Sequence, residues 1–215
     1  MMHYITANTA IEFICLLFAI ICLKNDSSAV WRSMIIYLLI TLAAELSGVY
    51  VELKYHNNQW VYNIFIIAEA GFTNLMFAYL YRQFNKRKYI ILTGLGLFVV
   101  LYAFDLVSHG FLVYSYLTYK SMSVLYVTYG LYFYYLLLKE EGYINIRHSG
   151  IFWWVAGVLF FYFGNTMCDL FDDLLRDVKI FKNEYLTYFV FKILNIILYG
   201  CWSYSFVCRK WSTVK

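Results

Sequence analysis

The sequence predicts an all-α, polytopic membrane protein, a seven-transmembrane-helix bundle with its amino terminus outside and its carboxyl terminus inside. Three observations carry this reading. Hydrophobic residues make up 63% of the 215 positions and charged residues 14%, against about 25% charged in a soluble domain. Seven apolar runs, at 7–23, 33–53, 61–81, 89–107, 113–138, 151–173 and 185–207, each approach the ~20 residues that a spanning helix needs. The connections between them are short and polar. So much apolar surface also excludes a disordered chain, and the runs leave no room for a soluble domain. A single bundle over 1–215 is expected.

Residues 1–8 hold no Lys or Arg, and no small-residue cleavage site follows the first run. That run is therefore expected to remain as a span. It closes on Lys24-Asn25-Asp26-Ser27-Ser28. The second run places Glu45, Gly48 and Glu52 on one face, where the glycine permits a neighbour to approach closely. The connection from Lys54 to Gln59 follows. In the third run Asn63, Ala70 and Asn74 share a stripe, while Glu69 is rotated from Asn74 by roughly 140° at about 100° per residue. This helix is expected to touch polar partners on more than one side.

The basic stretch Arg82 to Lys88 leads into the fourth run, which ends at Ser108-His109-Gly110. The fifth carries Tyr116, Tyr119, Tyr126, Tyr129, Tyr132, Tyr134 and Tyr135 along its whole length. Some of these hydroxyls should face protein, because a buried phenol needs a partner. Lys139-Glu140-Glu141-Gly142 opens the next connection. In the sixth run Tyr162, Asn165, Asp169 and Asp172 form one stripe, and an acidic-basic stretch from Asp172 to Glu184 follows. The seventh run carries Tyr188, Lys192, Asn195 and Tyr199 at helical spacing. A lysine within a span costs roughly 2.5 to 3.5 kcal/mol on insertion scales, so Lys192 should face protein or water.

Orientation follows from the basic residues. With the amino terminus outside, the inner side holds 11 of the 17 Lys and Arg: Lys24, Arg32, Arg82, Lys86, Arg87, Lys88, Lys139, Arg147, Arg209, Lys210 and Lys215. The outer side holds 4 (Lys54, Arg176, Lys179 and Lys182), and Lys120 and Lys192 lie inside runs. The net charge of +4 therefore reports orientation and contact with anionic membrane lipid, not nucleic-acid binding. No proline occurs. Fairly straight helices are expected, and no transporter built on broken spans.

The five cysteines lie within or at the ends of apolar runs, as small packing residues without a disulfide framework. His3, His56, His109 and His148 sit in connections or at the amino terminus, without zinc spacing. No metal or cofactor is expected.

Given this topology, the charges inside the runs converge in depth. Glu12, Glu45, Glu69, Lys120, Asp169 and Lys192 each fall within about eight residues of an outer end. At about 1.5 Å per residue this is roughly the outer 12 Å. Unrelated charges would scatter over both halves. Glu45, Glu69, Lys120, Asp169 and Lys192 are therefore expected to ring an outward-facing polar cavity. Asn165, Asn195 and Tyr199 complete the candidate ligand-binding set. Four acids against two lysines leave a formal charge of −2, which requires hydration, protonation or a cationic ligand. A closed network that fixes helix register is the structural alternative.

The string Trp60-Val61-Tyr62-Asn63-Ile64-Phe65-Ile66-Ile67-Ala68-Glu69 resembles the third-helix signature of uncharacterised small seven-helix integral membrane proteins of Bacteroidota-type bacteria, a family of unknown function. Phe152 to Asn165 resembles their sixth helix, and Asn195-Ile196-Ile197-Leu198-Tyr199-Gly200 their seventh. The resemblance implies a multi-pass protein of the bacterial inner membrane, with Glu69, Asn165 and Asn195 as family-pattern positions. Lys192 and Glu69 also resemble the lysine and acid of microbial rhodopsins, but the absence of proline and of an arginine-led counter-ion pattern argues against retinal.

The function expected from these features is a sensory or small-ligand-binding membrane component. A small polar or amphipathic ligand would enter from the outer side, and the basic inner loops would meet a cytoplasmic signalling partner. Two alternatives are an intramembrane enzyme acting on lipid and a structural subunit of a membrane complex. In the enzyme reading Glu45 or Glu69 is the acid or base, with Ser47, Thr73, Ser121 and Ser123 as candidate nucleophiles. The sequence assigns no catalytic residue.

Overall fold

The computed structural model describes residues 7–139, 146–175, 178–181 and 184–213. The helices are α1 (Ala7–Leu23), α2 (Ala29–Tyr55), α3 (Gln59–Leu80), α4 (Arg87–His109), α5 (Tyr116–Lys139), α6 (Gly150–Leu170), the short α7 (Asp172–Leu175) and α8 (Leu186–Thr213). A 3₁₀ turn at Ile146–His148 precedes α6. The two-stranded antiparallel ladder β1 (Lys179–Phe181) and β2 (Glu184–Tyr185) precedes α8. Six helices (α2 to α6 and α8) are long and apolar enough to cross a membrane, the build of a multi-pass membrane protein. At 17 residues α1 is shorter.

Several boundaries differ from those read off the hydropathy pattern, each for a local reason. The second helix begins at Ala29 and runs to Tyr55, where His56 turns the chain at φ 56° and donates its N–H to the Glu52 carbonyl. The fifth begins at Tyr116, not 113. Residues 111–114 are apolar, but backbone groups of Phe111, Val113, Tyr114 and Ser115 are bonded to side chains of α3. The sixth ends at Leu170, because Phe171 leaves helical geometry at φ −104°, ψ 18°. Asp172 therefore belongs to a separate turn and not to the stripe of Tyr162, Asn165 and Asp169. The last helix runs on to Thr213. Glu140 to Gly142, Arg176, Lys182, Lys215 and His3, which entered the sequence reading, lie outside the described residues.

The chain forms two compact units, Met1–Met122 and Ser123–Lys215, divided within α5. In the first, α1 packs on α2, α2 on α3 and α3 on α4. The α1 face that is buried carries Thr9, Glu12, Cys15, Leu16, Ala19 and Leu23, a stripe at three-to-four-residue spacing. On α2 the buried stripe is Trp31, Met34, Leu38, Thr41, Gly48 and Val51. Where α4 packs on α3, Gly94 faces the Asn74 side chain.

In the second unit α6 and α8 run antiparallel along a seam of glycines. Gly150 lies against Ser205 and Arg209, Gly157 against Leu198, Cys201 and Trp202, and Gly164 against Leu194. Lipid tails are as apolar as leucine, so helices in a membrane associate through close packing, which small residues allow. Ser205 Oγ donates to the Gly150 carbonyl at 2.7 Å. Trp154 and Trp202 stack with ring centroids 6.0 Å apart and planes 1° from parallel. Hydroxyls elsewhere donate one turn back, as Thr41 to Tyr37, Thr128 to Val124, Thr166 to Tyr162 and Ser203 to Tyr199. This satisfies them inside apolar helices. All five cysteines are free thiols.

Candidate functional site

Four glutamates of the first unit act electrostatically on two tyrosines. Gly48 has no side chain, and the Tyr62 ring occupies the space, its hydroxyl 2.7 Å from where a Cβ would stand. This close approach is the one expected of the Glu45-Gly48-Glu52 face. It brings the Tyr62 hydroxyl to Glu45, donating to Oε2 at 3.4 Å. Glu12 of α1 and Glu52 of α2 also act electrostatically on this phenol.

The second tyrosine is Tyr37, on the buried face of α2. Its ring stacks on Phe72 at 4.2 Å and 10°, and on Phe65 at 6.4 Å and 25°. Glu69, Glu12 and Tyr119 lie close enough to act on its hydroxyl. Glu12, only 6% exposed, is therefore shared by both clusters. Glu69 of α3 is half-buried. Lys120 of α5 is exposed.

The asparagines of α3 serve the fold. Asn63 Nδ2 donates to the carbonyls of Phe111 and Val113, each at 2.7 Å, and its Oδ1 accepts from Ser115 N–H at 2.9 Å. The Tyr102 hydroxyl donates to the Asn63 carbonyl, and Tyr114 N–H to Gln59 Oε1. One buried side chain thus fixes the α4–α5 connection to α3. Asn74 donates to the Ala70 carbonyl at 2.8 Å.

The second unit holds the other candidates. Asn165, 1% exposed, donates to Ser123 Oγ at 3.4 Å, so this pair acts as interhelical glue between α6 and α5. Beside it the rings of Tyr126 and Tyr162 meet edge to face at 5.0 Å. Two of the seven tyrosines of α5, Tyr126 and Tyr129, are buried, and the Tyr134 hydroxyl donates to the Phe152 carbonyl at 2.9 Å. Asp169 and Asn195 are half-buried. The Lys192 ammonium sits 4.5 Å from the centroid of the Tyr188 ring, a cation–π contact that offsets part of its burial. Tyr199 packs edge to face on Trp202 at 5.8 Å.

One buried acid in the spans escaped the sequence reading. Asp105 of α4 is 2% exposed. Its Oδ2 accepts from Thr118 N–H at 2.8 Å and from Thr118 Oγ1 at 2.7 Å, and its Oδ1 lies 3.7 Å from His109 Nδ1. It secures the first turn of α5. Its place four residues before His109 was a legible signal of a paired carboxylate. No family model, curated protein or solved structure matches the chain.

Proposed function

We propose that this is a bacterial inner-membrane protein crossing the lipid bilayer seven times, amino terminus outside, with α1 as its shortest span. At 17 residues and about 1.5 Å per residue, α1 reaches about 26 Å, near the ~30 Å hydrocarbon thickness. The Glu12–Glu45–Glu69 region of α1 to α3 receives a small cationic or amphipathic ligand from the outer side. Occupancy is passed by helix movement to a cytoplasmic partner at the basic Arg82 to Lys88 loop.

The observation that carries this reading is the contact of Glu45 with the Tyr62 hydroxyl at 3.4 Å, with the buried Glu12 and the exposed Glu52 acting electrostatically on the same phenol. Carboxylates on neighbouring helices repel one another, and a cation between them relieves that cost. The half-buried ring of Tyr62 beside Glu45 adds a face that favours quaternary ammonium groups. Thermal unfolding of the purified protein with tetramethylammonium and longer alkylammonium ions, beside their neutral isosteres, tests it. Selective stabilisation by the cations that grows with concentration is expected, with loss in Glu45→Gln and Glu69→Gln. Equal response to cations and isosteres would refute it.

A further inference from the structure

We infer that the start of α6 and the end of α8 together form a binding site for the phosphate of an anionic membrane phospholipid. The inference rests on the multi-pass membrane build and stands apart from the ligand reading above. Two stretches far apart in sequence meet at this end of the second unit: the 3₁₀ turn Ile146–His148 and the last turns of α8. Three donors fasten the turn by one atom. The Arg147 carbonyl accepts from the Tyr204 hydroxyl at 3.2 Å, from Trp153 Nε1 at 3.3 Å and from Cys208 Sγ at 3.7 Å. Gly150 brings α8 closer still, since a Cβ there would stand 3.3 Å from the Arg209 nitrogen and 3.4 Å from its Cβ. The His148 ring lies 6.3 Å from that of Trp211.

This fastening collects positive charge. Arg147 and Lys210 are exposed and Arg209 is half-buried. In sequence, 139–148 and 209–215 hold five Lys and Arg (Lys139, Arg147, Arg209, Lys210 and Lys215) against two acids, Glu140 and Glu141. The acids of this unit among the described residues, Asp169, Asp172, Asp173 and Glu184, belong to the opposite end, where α6 finishes and α8 begins.

Depth names the occupant. The apolar span of α6 starts at Gly150 and that of α8 stops at Trp211. Arg147 and Lys210 thus stand within about one helical turn, about 5.4 Å, of the span ends, at the level of the lipid headgroups. Trp153, Tyr204 and Trp211 mark the same level, because an aromatic body with a polar tip settles at the membrane boundary. Trp153 and Tyr204 meet edge to face at 5.1 Å. An acidic soluble partner would have to reach these cations through the headgroup layer, whereas a phosphodiester of the surrounding leaflet is already beside them. A guanidinium can take two phosphate oxygens in parallel, and an ammonium adds a point charge. Basic pockets between the ends of spanning helices recognise anionic headgroups in this way.

The test titrates the full-length protein in detergent with phosphatidylglycerol or with phosphatidylcholine of the same acyl chains, counting bound lipid by native mass spectrometry. Phosphatidylglycerol should bind at least about fivefold more tightly. Arg147→Gln/Lys210→Gln, which alters two exposed side chains, should weaken phosphatidylglycerol by about tenfold and leave phosphatidylcholine binding unchanged, the latter also showing that the variant is folded. Arg87→Gln/Lys88→Gln removes the same charge at the exposed start of α4 and should cost less than about twofold. Glycerol 3-phosphate in large excess should not displace the lipid. Equal affinity for the two lipids overturns the inference without recourse to any variant. So does an unaltered affinity in Arg147→Gln/Lys210→Gln, or an equal loss in the α4 variant. Displacement by glycerol 3-phosphate would give the patch to a soluble phosphate compound and overturn the lipid assignment.

Discussion

A Cβ placed on Gly157 of α6 would stand 3.0 Å from the Cβ of Cys201 of α8, with the Leu198 carbonyl 3.2 Å away. The two backbones meet here with nothing between them. Gly157→Leu is expected to force α6 from α8 and destabilise the protein by about 1–3 kcal/mol. Gly96→Ala on α4, where a Cβ meets nothing within 4 Å, should be neutral or stabilising by up to about 1 kcal/mol. Thermal unfolding of both variants checks the contrast.

Asn63 satisfies three backbone groups of the α4–α5 connection at once. Asn63→Leu keeps the volume and strands all three. Each orphaned group costs about 1–3 kcal/mol, so a loss of several kcal/mol, or failure to fold, is expected. Limited proteolysis should find new cleavage between Gly110 and Ser115 if the loss is local.

Asp105 should likewise be sensitive to its chemistry. Asp105→Ala removes the acceptor for both Thr118 donors and should cost about 1–3 kcal/mol. Asp105→Asn keeps an acceptor oxygen and should cost less. Denaturant unfolding of the two side by side measures the difference.

The Tyr62–Glu45 contact offers a finer probe of ligand binding than acid removal alone. Tyr62→Phe keeps the ring against Gly48 and deletes only the hydroxyl. Alkylammonium affinity should change by less than about threefold, whereas Glu45→Gln should weaken it about tenfold, or about 1.4 kcal/mol. Calorimetric titration distinguishes the two.

Topology is open to direct measurement. With the native cysteines replaced by alanine, Ser108→Cys should react in intact cells with a membrane-impermeant thiol reagent, and Ser27→Cys should react only after lysis. The reverse pattern would invert the orientation drawn from the basic residues.

Much of this architecture was visible in the amino-acid order. Spans of about 20 apolar residues announce themselves through length, and the Glu45-Gly48-Glu52 face marked where a neighbour comes close. What stayed hidden is tertiary. The stretch 113–115 reads as helix until Asn63, some fifty residues earlier, claims its backbone. Phe171 carries no local break signal, yet the stripe stops there. Gly150, Gly157 and Gly164 repeat every seven residues, a period that could have disclosed the α6–α8 seam from sequence. The meeting of Glu45 with Tyr62 could not be read that way, because spacing fixes a face of one helix but not its partner.

The parallel indoles of Trp154 and Trp202 have a practical consequence. Their rings lie close enough to be in electronic contact, so the ultraviolet absorption and emission of these two indoles depend on the α6–α8 separation. Because each ring belongs to a different helix, any motion that parts α6 from α8 would change both. The protein thus carries an internal gauge of its own opening, readable without a label.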